Sequence, residues 1–469
     1  MIADLKPYPE YKESGLPWVG DIPRHWAHER AKWLFKKMDR PVREEDEVVT
    51  CFRDGMVTLR KNRRLRGFTE ATVYSGYQGI RKGDLVIHGM DAFAGAIGVS
   101  DSDGKGTPVY SVCQPRPGVN ASYYAQLVRQ MSQSQWILAL AKGIRERSTD
   151  FRFEMFGNQS VPFPPPTEQA AIVQFLDWSN SRLDRAIKAK RKVIALLNEQ
   201  KQAIIHRAVT RGLDPDVALK PSGIPWLGDI PEHWELRRAK QLCIAIIDCK
   251  NRTPDLVDGG KFVVVRTTNI RNGNFTLLGS YTTDEHNYDI WTQRGPPRAG
   301  DVFFTREAPV GEACLVPNRG DLCMGQRMMY FRPNPAVLDA DYLLRSIYGP
   351  IVRRYIEIEA NGSTVGHMRL GQISALPLLW CPINEQKKIV AHIANESAPL
   401  NVAISRLERE IALLSEYRTR LVADVVTGKL DVRDAAGRLP EESRSDESAI
   451  MDEEDTNEEE ADESDPDSE

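Results

Sequence analysis

Residues 17–26 read PWVGDIPRHW and residues 225–234 read PWLGDIPEHW, the same phrase displaced by 208 positions. Ser14-Gly15 and Ser222-Gly223 precede the two copies; Ala31-Lys32 and Ala239-Lys240 follow them. A match this dense makes the chain two copies of one unit. The repeat resumes downstream, where Glu168-Gln169 recurs as Glu385-Gln386 at a shift of 217. At that shift Leu196-Leu197, Glu199, Thr210, Leu213 and Asp214 match Leu413-Leu414, Glu416, Thr427, Leu430 and Asp431. The middles agree only at scattered points, such as Gly83-Asp84 with Gly300-Asp301. Repeated ends and divergent middles describe a constant frame with two different inserts. The period far exceeds the 20–50 residues of solenoids, so this is a duplicated domain.

A chain of 469 residues is long enough for two or three domains. It has no apolar run long enough to span a bilayer, and MIADLKPYPE lacks a cationic stretch followed by an apolar core. Seven cysteines without paired or metal-like spacing predict a reduced, cytoplasmic protein with no disulfide framework. The net charge of −4 hides a split. Residues 441–469 hold 16 acids and one base, Arg444, whereas the rest carries 61 bases and 50 acids. The acidic tail, poor in apolar residues, is expected to be disordered, either as a solvated extension or as a DNA mimic screening the body. A basic body favours a polyanionic partner.

Proline-rich segments at 162–166 and 377–382 close the middles, with Thr167 and Asn384 as expected N-caps of helices that follow. Those helices carry apolar heptads. Leu176, Leu183, Ile187, Ile194, Leu197 and Ile204 stand in the first copy, and Leu400, Ile404, Leu407, Ile411, Leu414 and Leu421 in the second. Polar residues interrupt both stripes at the same places, Asn180/Ser397 and Lys201/Arg418. A period of 3.5 with shared interruptions predicts a coiled-coil seam in fixed register, with each helix packed on its own domain as the alternative. Pro399 is expected to break the second helix, and Ser179-Asn180 marks the corresponding break in the first. Each long helix then has roughly 30 residues, or about 45 Å. Antiparallel pairing would separate two globular units and suit half-sites spaced by a turn or more of DNA, at roughly 34 Å per turn.

The middles read as α+β. Segments 84–87, 262–265 and 301–304 are strand-like, and 122–142 and 340–359 have helical spacing. Basic and amide residues gather on the expected loops. The first middle has Arg60, Lys61, Arg63, Arg64, Arg66, Thr69, Tyr77, Gln78, Arg145 and Arg147. The second has Lys250, Arg252, Thr253, Arg266, Thr268, Asn269, Thr305, Arg306, Glu307, Gln326, Arg327, Ser363 and Thr364. Arg reads guanine, Asn and Gln read adenine, Glu accepts from cytosine, and Lys holds phosphate, so the mixture suits base readout.

No GxGxxG, GxxxxGK[ST], HExxH or zinc spacing is present, and neither is the Asn-Pro-Pro-Tyr or Asp-Pro-Pro-Tyr of an amino-methyltransferase. Glu199-Gln200-Lys201 imitates a nuclease Glu-x-Lys, but it falls on the heptad helix. Gly104-Lys105-Gly106-Thr107 reads as a surface turn. His25 and His233 stand beside tryptophans inside the repeated motif and read as structural. No residue is assigned to catalysis or to a metal.

The repeated Pro-Trp-x-Gly-Asp-Ile-Pro-x-His-Trp, the variable segment and the Glu-Gln heptad helix together resemble the specificity subunit of type I restriction–modification enzymes over residues 10–432. GDVFFTREAPVGEACLVP (300–317), GQRMMYFRP (325–333) and NGSTV (361–365) resemble one of that family's recognition domains, and FRDGMVTLRKNRR (52–64) with GYQGIRKGDLVIHGMDAFAGAIGVSDSDGKGTPVYSV (76–112) another. The fold class so expected is α+β. Two tandem α/β target recognition domains, 1–166 and 212–383, are separated by a long antiparallel two-helix coiled coil with pseudo-twofold repeat. Conserved helical regions cover 167–211 and 384–432, and an acidic disordered tail covers 433–469. The resemblance implies a non-catalytic subunit that binds a bipartite, asymmetric site on double-stranded DNA. Its helices dock two methyltransferase and two restriction/translocase subunits. It implies no cofactor on this chain, with S-adenosylmethionine, ATP and Mg on the partners. A self-sufficient DNA-modifying enzyme and a pure assembly scaffold are the competing readings. The first would act on DNA alone, and the second would show no sequence preference.

Overall fold

A computed structural model describes residues 5–63, 76–140, 150–250, 252–360 and 366–440. The chain divides into two compact units, Met1–Lys188 with Ile411–Glu469, and Ala189–Glu410. Two long helices, Pro166–Arg211 and Ile383–Val426, each begin in one unit and end in the other.

Both helices are continuous, 46 and 44 residues long, which corrects the expected breaks. Pro399 lies inside the second helix. A proline there removes one backbone hydrogen bond at about 3 kcal/mol. Pro399 and Asn395 are both exposed, so water can take the freed carbonyl, while the stripe through Ile393, Ser397 and Ile404 stays covered. The expected caps are corrected too. Each helix starts one residue before its expected cap, so Thr167 and Asn384 lie in its first turn. The carbonyls of Pro165 and Pro382 accept from Glu168 and Gln169, and from Glu385 and Gln386.

The first unit is built on a four-stranded antiparallel sheet in the order Phe35–Lys37, Tyr110–Pro115, Leu85–His88, Ile97–Val99. Helix Ala121–Gln133 covers it, burying Tyr123, Tyr124, Leu127 and Val128 among Phe35, Phe151, Phe156 and Phe175. Leu421, Val425 and Val426 from the end of the second long helix complete this core. The chain then docks beside its own start: the Asp431 N–H donates to the Lys6 carbonyl at 2.8 Å, and the Tyr11 hydroxyl donates to the Lys429 carbonyl at 3.0 Å. Residues 433–440 belong to this unit, with Arg433–Ala436 helical and Ala436 buried, which moves the expected tail boundary from 433 to 441. Residues 441–469, where the tail was expected to be disordered, lie outside the described residues.

The second unit repeats the plan. Its sheet runs Cys243–Asp248, Met328–Pro333, Val302–Thr305, Ala313–Leu315, again antiparallel throughout. A further sheet joins Phe262–Val265 to Tyr281–Thr283 and, in parallel, to Leu322–Met324. The helical segments are shorter than the sequence suggests. Gln135, at φ 60°, separates Ala121–Gln133 from Trp136–Leu140, and Tyr348-Gly349 separates Ala340–Ile347 from Pro350–Ala360.

In both units one dipeptide ties the repeated motif to the helix. Strand Ala27–Arg30 pairs with Ser160–Phe163, and Glu235–Arg238 with Pro377–Trp380, which brings the motif to the helix entry. The Glu168 carboxylate there accepts from Trp26 Nε1 at 3.0 Å, from the Tyr8 hydroxyl, and from His25 Nε2 at 2.9 Å. Glu385 takes Trp234 Nε1 at 3.0 Å and His233 Nε2 at 2.8 Å. The next residue works in the opposite direction. Gln169 accepts from the Asn120 N–H at 2.8 Å, and Gln386 from the Asp339 N–H at 2.8 Å, each at the cap of the helix covering the sheet. Their amide groups donate to Pro164 and Cys381 carbonyls at 2.9 and 2.7 Å. The tryptophans, fully buried, have their only polar atom satisfied by a carboxylate on the helix.

Along the long helices the least exposed positions follow the heptad. Leu176, Leu183, Ile187 and Leu421 are buried, and Ile194, Leu197, Ile204, Leu400, Ile404, Leu407, Ile411 and Leu414 half-buried. In the second unit Lys190 meets Glu410 at 2.6 Å and Lys201 donates to Asn401 at 2.9 Å, so the two segments run in opposite directions past each other. In the first unit Arg418 meets Asp184 at 2.5 Å. The shift of 217 maps Asp184 on Asn401 and Lys201 on Arg418, so one tie is written twice, once ionic and once neutral. The Lys190–Glu410 pair has no such twin, because its counterparts are Leu407 and Val193. Lys190, then Arg406, hold the Glu410 carboxyl below the usual range. The tie is therefore present at neutral pH and lost as pH falls through that lowered value.

Glu168→Ala leaves the buried Trp26 N–H and Tyr8 hydroxyl unpaired and should cost about 3 kcal/mol. Glu385→Ala, at a more exposed carboxylate without a tyrosine, should cost about half as much, read by urea denaturation.

Candidate nucleic-acid interface

In the first unit, strands Val49–Cys51 and Val57–Leu59 form a hairpin whose tip is Phe52-Arg53-Asp54-Gly55. Gly55 has φ +94°, so the turn requires glycine. Arg53, largely exposed, meets Asp91 at 3.3 Å. Arg63 meets Asp54 at 2.5 Å and lies 4.5 Å over the Phe52 ring, and Lys61 meets Glu47 at 2.5 Å. Arg60 Nε reaches Thr50 Oγ1 at 3.3 Å. Exposed pairs of this kind contribute little to stability, so DNA phosphates can replace their carboxylates at small cost. Under the tip, burial pushes the Cys51 thiol up to about 12, which leaves it inert as a nucleophile.

The second unit gathers five separate segments into one charged cluster. Asp248, at the end of its strand, pairs with Arg294 and lies 3.7 Å from Arg306. Arg306 Nη2 is 3.5 Å from His367 Nε2, and His367 Nδ1 is 2.7 Å from Glu307. A carboxylate only accepts, so His367 Nδ1–H donates to Glu307. The other Glu307 oxygen meets Arg327 Nε at 2.8 Å. Lys250 adds a cation 5.6 Å over the Trp291 ring and donates to Gln293 at 3.3 Å. Two carboxylates thus hold three guanidiniums in place with a lysine beside them. The excess is positive, as a phosphate-facing surface requires.

Of the residues singled out in the sequence, the fold brings Lys250, Arg306, Glu307 and Arg327 together, with Gln326 and Thr253 adjoining through a 3.4 Å hydrogen bond. Arg252, Arg266 and Thr268 are exposed on neighbouring loops, and Tyr77 is half-buried. Three candidates hold the structure instead. Asn269 is fully buried, accepting from the Arg266 N–H at 2.7 Å and donating to the Leu278 carbonyl at 3.0 Å. Thr305 is fully buried and donates to the Pro309 carbonyl at 2.6 Å. Gln78 donates to the Tyr110 carbonyl at 2.7 Å. Asn269 and Thr305, both fully buried, have no free edge to offer a base. Arg64, Arg66, Thr69, Arg145, Arg147, Ser363 and Thr364 lie outside the described residues. Sequence reading missed Arg53, Asp248, Arg294 and His367. Arg53-Asp54-Gly55 carried a turn signal, but His367 joins the cluster only through the fold.

Residues 231–400 match the family described as type I restriction modification DNA specificity domain. The protein described as the MjaX type I restriction enzyme specificity subunit of Methanocaldococcus jannaschii is 21% identical over 449 residues, covering 88% of this chain and 96% of that one. Residues 231–400 thus resemble the DNA specificity domain of type I restriction–modification enzymes, and the likeness to a specificity subunit runs along most of the chain. A chain solved in work on complex assembly and conformational transition of the type I R-M system shares its fold, with a TM-score of 0.61 at 15% identity over 87% of this chain and 99% of that one. A more distant likeness is the HsdS subunit from Thermoanaerobacter tengcongensis, with a TM-score of 0.41 at 16% identity. Among the described residues no helix is long and apolar enough to cross a membrane.

Replacing Arg327 by Gln should leave the melting temperature unchanged and lower the salt dependence of DNA binding by about one charge. Asn269→Ala should do the reverse, lowering the melting temperature and leaving the salt slope intact.

Proposed function

We propose that this chain is the DNA-specificity subunit of a type I restriction–modification system and reads a bipartite, asymmetric DNA site, with one unit addressing each half. The observation that carries this reading is the contrast between frame and insert. The Glu clasp, the Gln latch and the four-stranded sheet recur in both units, while the charged faces mounted on them share almost nothing. Two unlike faces on like frames suit an unsymmetrical target. Recognition domains at 1–166 and 212–383, helical regions at 167–211 and 384–432, and an antiparallel two-helix coiled coil setting the spacer belong to this proposal. The opposed ties of Lys190 with Glu410 and Lys201 with Asn401 support it.

The helices also offer a repeated outer face. Leu196 and Leu413 are identical across the repeat, lie off the heptad seam, and are 55% and 58% exposed. Glu199 and Glu416 lie beside them, also identical and exposed. A leucine kept in both copies without a place in either core suits a partner bound twice, which fits two methyltransferase subunits. Two restriction/translocase subunits would complete a restriction-competent complex. S-adenosylmethionine, ATP and Mg would then be held by those partners, in the cytoplasm.

Methylome sequencing of a host carrying this chain and its methyltransferase partner tests the reading. A two-part motif with methyladenine in each half is expected, and exchanging residues 248–383 should change one half alone. Methylation without sequence preference would overturn it. Leu413→Arg should abolish or halve methyltransferase binding, read by mass photometry, with little change in melting temperature.

A further inference from the structure

We infer that Arg129 and Tyr348 are equivalent positioning residues, each locking together the two turns that carry its unit's reading surface. The inference rests on the proposal that these turns face DNA. Helices Ala121–Gln133 and Ala340–Ile347 both follow a side-chain cap, Asn120 and Asp339, and both caps are held by the Gln latch. Counted from those caps, Arg129 and Tyr348 occupy the same position. Arg129 Nη1 donates to the Gly95 carbonyl at 2.8 Å and to the Arg53 carbonyl at 3.3 Å. Arg53 is in the hairpin tip, and Gly95 is in the connection between strands Leu85–His88 and Ile97–Val99. The Tyr348 hydroxyl accepts from the Gly273 N–H at 2.8 Å and the Ala313 N–H at 3.1 Å, and lies 3.0 Å from the Glu312 carboxylate as its acceptor. Gly273 is in the tip of the hairpin Ile270–Arg271 with Asn274–Phe275, and Ala313 ends the connection between strands Val302–Thr305 and Ala313–Leu315.

The same two turns are therefore pinned in both units, by different groups. A guanidinium donates to two carbonyls in one; in the other a phenol accepts from two N–H groups and also lies 3.0 Å from the Ala313 carbonyl and the Glu312 carboxylate as acceptors. A side chain that only filled space would not reproduce this connection with different hydrogen-bonding groups. Both turns need glycine for their positive φ, +94° at Gly55 and +83° at Gly273, and each passes beside its pin: an added Cβ would lie 2.0 Å from Arg129 Nη1 and 3.8 Å from Tyr348 Cε2. What the pins hold is the charged surface itself. The first hairpin tip carries Arg53 and Asp54. The second connection begins with Arg306 and Glu307 and ends at Glu312, which the Asn272 N–H also reaches at 2.6 Å. A base-reading guanidinium must be aimed before DNA arrives, or ordering it subtracts from discrimination.

The test uses the full chain in complex with its methyltransferase partner and short duplexes carrying the methylome-defined site, with either half scrambled. Competition binding gives the discrimination for each half. Tyr348→Phe should lower discrimination of the second half about 10-fold and leave the first unchanged. Arg129→Gln should do the mirror image, and Arg129→Lys should restore part of the loss because an ammonium can still reach one carbonyl. Affinity for non-specific DNA should not move, since phosphate contacts remain. The unaffected half reports that each variant is folded. Equal loss in both halves, or no loss in either, overturns the positioning role. Wild-type protein indifferent to both scrambles would instead overturn the two-half reading on which it rests.

Discussion

The structure depends on a carboxylate at the entry of each long helix. Glu168 and Glu385 stand at the first turn of the long helices and accept the indole N–H of Trp26 and Trp234. Each indole is the largest apolar body in its repeated motif, and burying it requires an acceptor for its one polar atom. Because that acceptor sits on the helix, the motif can bury its tryptophan only where a long helix begins. The adjacent glutamine fixes the cap of the helix that covers the sheet. Two consecutive residues thus join the frame to the insert. The insert can vary freely in loops and charges, provided its helix starts at the latch.

That division explains what was legible in the sequence. The duplication, the heptads and the strand segments were visible because identity, a 3.5 period and Gly-Asp turns are local signals. The clasp was half visible: Trp26 and Glu168 were both marked by repetition, but nothing in either segment says that they touch. The continuity of the second helix through Pro399 was not visible, because a proline reads as a stop unless covered residues on both sides keep the helix in register. The interface was read least well. Asn269 and Thr305 look like readers in a polar string, yet the fold closes their hydrogen bonds internally. Asp248, Arg294 and His367 come from three segments that no spacing rule connects.

Electrostatics in the two faces follow one logic with different residues. In each, carboxylates orient guanidiniums before any ligand is bound: Asp54 and Asp91 in the first unit, Asp248 and Glu307 in the second. Such acids reduce the attraction for a phosphate backbone and so weaken binding to arbitrary DNA. In the second unit, where Arg306 is largely buried, the same acids also hold planar donors in place, which suits the geometry of base edges.

The docking of Asp431 against Lys6 has an evolutionary consequence. In the second unit the end of a long helix passes directly into the following motif through residues 212–218, whereas in the first the same two elements meet without a peptide bond. The same frame is thus closed once by a covalent link and once by hydrogen bonds alone, so it does not depend on that peptide bond. Genes of permuted order, or two half-length genes whose products associate, could specify the same molecule, and sequence comparison along a fixed line would understate their kinship.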